Sequence, residues 1–171
     1  MKKIFFAICA LATLTFASCE KEPIGGTAVE AMSGQWYVQI SGVDENGVFL
    51  YGDADLYELG SFILLTYNTA TNGGDSLWIS SPVNFKDYGY DFLNYKVKVE
   101  CNQSERVFER KRDDVAIFGG KILLGAATTP SGQPADSIVY DVSIAADPNA
   151  GVYYHHLRVS GYRYTGLKSD D

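Results

Sequence analysis

Tyr95-Lys96-Val97-Lys98-Val99-Glu100-Cys101 alternates apolar and charged side chains at every step. A period of two sends successive side chains to opposite faces, the pattern of a strand with one face in a core and the other in water. The rule holds outward in both directions. Trp36, Val38 and Ile40 share a face, Val48 to Tyr51 is a short apolar run, Ser61 to Thr69 is apolar and β-branched, and Leu77-Trp78-Ile79 follows Asn72-Gly73-Gly74. Lys121 to Ala127, Ser137 to Ala145 and Tyr153 to Tyr164 continue the series. The breaks are turn formers: Asp44-Glu45-Asn46-Gly47, Thr129-Pro130-Ser131-Gly132 and Asp147-Pro148-Asn149-Ala150-Gly151. Glu30 to Gly34 reads as a short helical turn leading into the first strand. Ser104 to Asp113, where charges flank Val107 and Phe108 on both sides, reads as a solvated helix or an edge hairpin.

About eight strands in roughly 150 residues match a sandwich or a closed antiparallel barrel. Closure removes the exposed edges that sheets rich in Val, Ile and Tyr must otherwise protect. The expected fold is therefore all-β, an antiparallel up-and-down barrel of about eight strands. Such a barrel encloses either packed side chains or one small ligand.

Composition narrows the function classes. The 171 residues are 46% hydrophobic and 20% charged, which excludes a disordered, collagen-like or coiled-coil chain. A net charge of -7 speaks against nucleic acid as a partner, because phosphate binding needs a basic footprint.

The first residues carry an address. Lys2 and Lys3 precede an uncharged run from Ile4 to Ala17, the n-region and h-region of an export signal. That run is too short for a bilayer core, which needs about 20 residues. It ends in Phe16-Ala17-Ser18-Cys19, which resembles the lipobox of bacterial lipoproteins, where the cysteine thiol is alkylated by diacylglycerol and the chain is cut before it. The expected organisation is a signal peptide over 1–18, a flexible tether over 19–30 and one domain over 31–171. Cys19 is the lipidation site, and the acyl anchor makes the membrane a partner. Glu20-Lys21-Glu22 looks like the export signal of Bacteroidetes surface lipoproteins, which implies the outer membrane and surface display rather than a periplasmic face. Loss of Lys2 and Lys3 leaves 12 basic against 21 acidic side chains, a net charge of -9, so acyl chains rather than a basic patch must hold the domain to anionic lipid. Cys9 leaves with the signal and Cys19 is consumed, so Cys101 is left without a disulfide partner. It sits on the apolar side of its strand and reads as a core thiol.

Gly34-Gln35-Trp36 at the head of the first strand looks like the G-x-W signature of lipocalins and other calycins, in which the tryptophan closes one barrel end. Phe118-Gly119-Gly120-Lys121-Ile122-Leu123, Ala135-Asp136-Ser137-Ile138 and Gly161-Tyr162-Arg163-Tyr164-Thr165-Gly166 resemble a Bacteroidetes lipoprotein family labelled "lipid-binding putative hydrolase", over about residues 31–171. Leu167 departs from it where an aromatic is expected. The resemblance implies a small calycin-like barrel.

Each motif also has a structural reading. Gly119-Gly120 reads as a turn or bulge, Asp136-Ser137 as a turn cap, and Gly161 as a bulge where the apolar parity switches. Arg163, in a strand of tyrosines, either closes the barrel end or contacts ligand.

Catalytic signals are sparse. The G-x-S-x-G elbow is absent, and adjacent His155 and His156 should point to opposite faces of a strand, which suits neither a shared base nor a zinc site. Asp53-Ala54-Asp55 alternates like a calcium loop but lacks the downstream bidentate glutamate. No catalytic residue, metal or cofactor is assigned. The preferred function is a small-ligand binding module for a lipid or other hydrophobic molecule, with Trp36, Tyr88, Tyr90, Tyr162 and Arg163 as candidate contacts. The alternative is a solid-core surface protein whose tyrosines, in particular Tyr88 and Tyr90 of Asp87-Tyr88-Gly89-Tyr90-Asp91-Phe92, meet glycans or a partner chain. A hydrolase is a distant third.

Overall fold

The computed structural model describes residues 26–170. Its strands are β1 (Gly34–Val43), β2 (Phe49–Gly52), β3 (Phe62–Asn68), β4 (Ser76–Ser80), β5 (Lys96–Asn102), β6 (Val107–Arg110), β7 (Val115–Thr128), β8 (Pro134–Ile144) and β9 (His156–Arg163). They pair in the order β2-β1-β3-β4-β5-β6-β7-β8-β9, and β9 returns to β1. Eight strands thus close an antiparallel up-and-down barrel, and β2 stands outside the ring. The long β1 makes this possible: Gly34–Val38 pairs with β3, Ser41–Val43 with β2, and Trp36–Val43 with β9 along its other edge. A four-residue helix, α1 (Asp53–Leu56), follows β2.

The period-two pattern is what fills the barrel. Val97 and Val99 are buried while Lys96, Lys98 and Glu100 are exposed, and Trp36, Val38 and Ile40 all point inward. Each fully buried aliphatic or aromatic side chain contributes about 1.5–3 kcal/mol relative to exposure. Midway along the barrel, Phe108 packs edge-on against Tyr140 at 5.7 Å, and the Tyr140 hydroxyl shares a 2.7 Å hydrogen bond with that of Tyr95.

Some local alternatives are decided and other expectations are corrected. Ser104–Asp113 is the hairpin alternative: its first residues turn out of β5 and Val107–Arg110 forms β6. Strand β7 begins at Val115 rather than Lys121, and Gly119-Gly120 is a bulge inside it, where the register slips between Phe118 and Lys121 and Gly119 takes φ 58°. Asp136 and Ser137 lie within β8 and cap no turn: Asp136 pairs with Arg163 and accepts from the Gly125 amide, and the Ser137 hydroxyl donates to the Gly161 carbonyl. Gly161 is not a bulge, because Val38, Gly161 and Ile138 lie side by side in unbroken register. Parity never switches. Position 161 is itself the inward one, and it is glycine because a Cβ there would sit 1.8 Å from the Tyr37 carbonyl oxygen.

The two barrel ends differ. At the lower end, where β1 starts, a 3-10 turn at Glu30–Met32 crosses the opening, with Val29 and Met32 fully buried, so the packed chain takes in Val29. At the upper end the β4–β5 connection folds over the opening as two 3-10 turns, Phe85–Tyr88 and Asp91–Leu93. Cys19 and the residues read as a signal peptide lie outside the described residues.

Candidate functional site

The candidate contacts fall in three places. Trp36 and Arg163 meet at the lower end. The indole is fully buried, its Nε1 donates to Thr66 Oγ1 at 2.9 Å, and that hydroxyl donates to the Met32 carbonyl at 2.7 Å. The Arg163 guanidinium lies 4.4 Å from the Trp36 ring, pairs with Asp136 and donates to the Ser33 carbonyl at 2.7 Å. A cation on an aromatic face beneath a chain crossing closes the barrel end. Tyr162 is on the outer wall, its ring 5.8 Å from Tyr37. Tyr88 and Tyr90 belong to the upper end: Tyr88 is 62% exposed, whereas Tyr90 stands edge-on to Tyr57 at 4.8 Å.

The upper end is built as a lid. Gly89, at φ 84°, lets the chain reverse between the two turns. Phe85 and Leu93 then point down into the barrel, and Phe85 meets Phe62 edge-on at 5.1 Å. Asn94 fastens the segment at both ends, accepting the Phe85 amide at 2.9 Å and donating to Asp91 at 3.1 Å. Beneath the lid, Ile40, Leu64, Val142, Leu157 and Val159 line an apolar space with Tyr95 at its side. That space measures about 10 Å³, at the limit for a single water molecule. The interior is occupied by side chains, and a ligand gains room there only where the lid side chains move out.

A hydroxyl network braces the lid from the side. Tyr154 donates to buried Asp147 at 2.5 Å, Tyr57 is hydrogen-bonded to the Tyr154 hydroxyl, and Asn149 approaches Tyr57 at 3.5 Å. Burial, then the hydrogen bond to Asp147, raises the Tyr154 hydroxyl far above the ordinary tyrosine range, and burial raises that of Tyr57. Both keep their protons at any physiological pH, so they serve as donors rather than bases. Tyr95 is likewise pushed up to about 12 by burial. Sequence reading missed this network because Asp147 and Asn149 look like ordinary turn residues. Only the chain reversal to Tyr154 turns them inward.

The histidines are placed differently from the strand expectation. His155 precedes β9, where alternation does not yet apply, and its ring lies 4.3 Å from that of His156, which also meets Phe118 at 5.0 Å. Burial, then the neighbouring His155, lowers the basicity of His156. Neither imidazole is hydrogen-bonded to a serine, threonine or cysteine among the described residues. No group of three or more His, Cys, Asp or Glu there could hold a metal ion. Cys101 is half-buried in the wall, its thiol raised by burial and by Asp75, which is the setting of an unreactive thiol.

A closed eight-stranded barrel, one end plugged by a buried tryptophan and the other covered by an aromatic lid, belongs to the class of small barrels that are filled by side chains or hold one small ligand. The chain belongs to the family described as lipid-binding putative hydrolase, which matches residues 21–168. No curated protein matches the chain.

Proposed function

We propose that the protein is a lipid-anchored binding module of the outer membrane, displayed at the cell surface, which takes a lipid or other small hydrophobic molecule into the upper end of its barrel. The observation that carries this reading is the lid. An apolar space lined by aliphatic side chains is covered by one short segment, whose two turns are held together by Asn94 and by the Tyr90 amide donating to the Phe85 carbonyl at 3.0 Å. Displacement of Phe85 and Leu93 converts their volume into ligand volume while the rest of the wall stays hydrogen-bonded. Membership of a lipid-binding family supports the same ligand class.

Native mass spectrometry of protein purified without detergent, followed by solvent extraction, is the direct test. A copurified apolar molecule is expected. A ligand-free spectrum, together with no uptake of added fatty alcohols, removes the proposal. The anchor is tested separately: Cys19→Ser should leave the protein in the soluble fraction, and protease treatment of intact cells should degrade the wild-type domain.

A second reading, an interaction protein with a solid core, draws on the filled interior and on the exposure of Tyr88 at the same end. Tyr88→Ala with loss of partner or glycan binding and no change in lipid uptake favours it.

A further inference from the structure

The barrel wall is not uniform. Pairing between β5 and β6 covers only Glu100 to Asn102 against Val107 to Glu109, and above that the strands part, so Lys96–Val99 has no neighbour on its β6 side. The parting opens a cleft of about 970 Å³ on the outside of the wall, which is at the upper end of the size of small-ligand sites.

Its lining runs against the charge of the rest of the molecule. In a chain of net charge -7, Lys96 and Lys98 stand on one lip and Arg110, Lys111 and Arg112 on the other. Lys96 lies over the Trp78 ring at 5.2 Å, Arg110 is held by Asp114, and Lys111 pairs with Glu109. Lys98 and Arg112 have no carboxylate within ion-pair distance among the described residues. Asp75, Glu100 and Glu109 gather at the cleft's lower part, where carboxylates can accept from hydroxyl groups.

We propose that this cleft binds an acidic saccharide, a chain of sugar rings bearing carboxylate or sulfate groups. The unpaired cations take the anionic groups, the carboxylates take ring hydroxyls, and the half-buried Trp78 offers an apolar face to a ring. A lipid fits less well. Val97 and Val99 are 5% and 1% exposed, so the wall behind the cleft is packed and admits no acyl chain. The site is on the outer wall, shares no lining residue with the space beneath the lid, and stands independently of the function proposed above.

Calorimetric titration of the full domain with a galacturonic acid hexamer, a sulfated uronate hexamer, the fully methyl-esterified galacturonate hexamer, inorganic sulfate and vesicles containing anionic phospholipid tests this. Binding of at least one acidic hexamer is expected, with a change in Trp78 emission because Trp36 is sealed in the core. Methyl esterification should weaken it at least about tenfold, and so should the double substitution Lys98→Gln/Arg112→Gln, two exposed positions whose loss leaves the fold intact. High salt should weaken it further. The proposal falls if neither acidic hexamer binds, if the methyl ester or the double variant binds as well as its parent, or if sulfate alone or the vesicles bind as tightly as the hexamers.

Discussion

Phe85→Ala tests packing and function together. The phenylalanine is 2% exposed, stands edge-on to Phe62 and forms the roof of the apolar space beneath the lid. Truncation of a buried Phe to Ala costs about 3–5 kcal/mol, and a site at a barrel end, where the lid can settle, belongs at the lower figure, about 3 kcal/mol. For a domain of this size that is a fall in Tm of roughly 6–12 °C. The deleted ring joins a space whose other walls are aliphatic, and cavities of this kind, up to about 150 Å³, stay dry and take benzene-sized molecules. A ligand that binds the folded variant alone and is present at 100 times its Kd restores about 2.7 kcal/mol, nearly the whole loss. The assay is thermal unfolding of wild type and Phe85→Ala, followed by circular dichroism, with and without a short-chain alcohol or benzene. Wild type should gain less than the variant, because its lid must first open. A variant that loses the expected stability but is not rescued by any apolar molecule would refute the lid as the ligand's entrance. A variant that loses almost nothing would refute the packing on which that role rests.

Gly161→Ala should be among the most damaging single-methyl additions in the barrel: the new Cβ lands 1.8 Å from a backbone oxygen and 2.6 Å from Val38 Cα, neither of which can swing away, so urea unfolding should show a loss of about 3 kcal/mol or more. Tyr140→Phe leaves the buried Tyr95 hydroxyl without its partner and should cost about 1–3 kcal/mol, whereas Tyr95→Phe/Tyr140→Phe should recover much of that; an additive double-mutant cycle would show that the two hydroxyls are not coupled. At the C-terminal end, Asp170 accepts from the Ser131 amide at 2.9 Å and from Thr165 Oγ1 at 2.5 Å, and hydrogen bonding by the Ser131 side chain first, then by Thr165, holds its carboxyl at about 2, below the usual 3.8. A depressed carboxyl stabilises the fold above its unfolded value and loses that effect as pH falls through the folded one, so wild-type stability should decline between pH 3.8 and about 2, and Asp170→Asn should flatten the decline in a urea series.

The strands were legible because each has a wet face and a dry face, and alternation records both. Lys96 to Cys101 reads correctly since its outward positions are charged and its inward ones valine. The start of β7 did not read, because Val115 to Gly120 carries no polar side chain to mark a wet face and ends in two glycines, and the bulge at Gly119 breaks the period. Gly161 misled for a related reason: an inward glycine looks like a missing apolar residue, so the tyrosines beside it simulate a change of face. The lower-end closure was anticipated in part, from Gly34-Gln35-Trp36 and Arg163. The lid was not. Its two 3-10 turns have no periodicity, and Phe85 and Leu93 are separated by polar and aromatic residues that give no sign of which ones point down. The cleft was beyond sequence altogether, since it exists only because two adjacent strands part after three pairs.

The two ends also fix how a tethered molecule would present itself. The chain enters the packed domain at the lower end through Gly26 to Val29, and six residues separate Cys19 from Gly26, a reach over seven steps of at most about 25 Å. With Cys19 acylated, the plugged end is held near the bilayer and the lid faces away from it. In that arrangement a ligand would reach the lid from the medium or from a partner rather than by lateral transfer out of the bilayer. Exposed Val48, Phe49, Val152 and Tyr153 stand at that same distal end, the last two in the β8–β9 connection that carries most of the lid's bracing network. If an apolar cargo is handed over rather than captured from water, this rim is where a donor would have to touch, and Phe49→Ser/Tyr153→Ser should slow delivery from a donor without changing the equilibrium affinity for a free ligand.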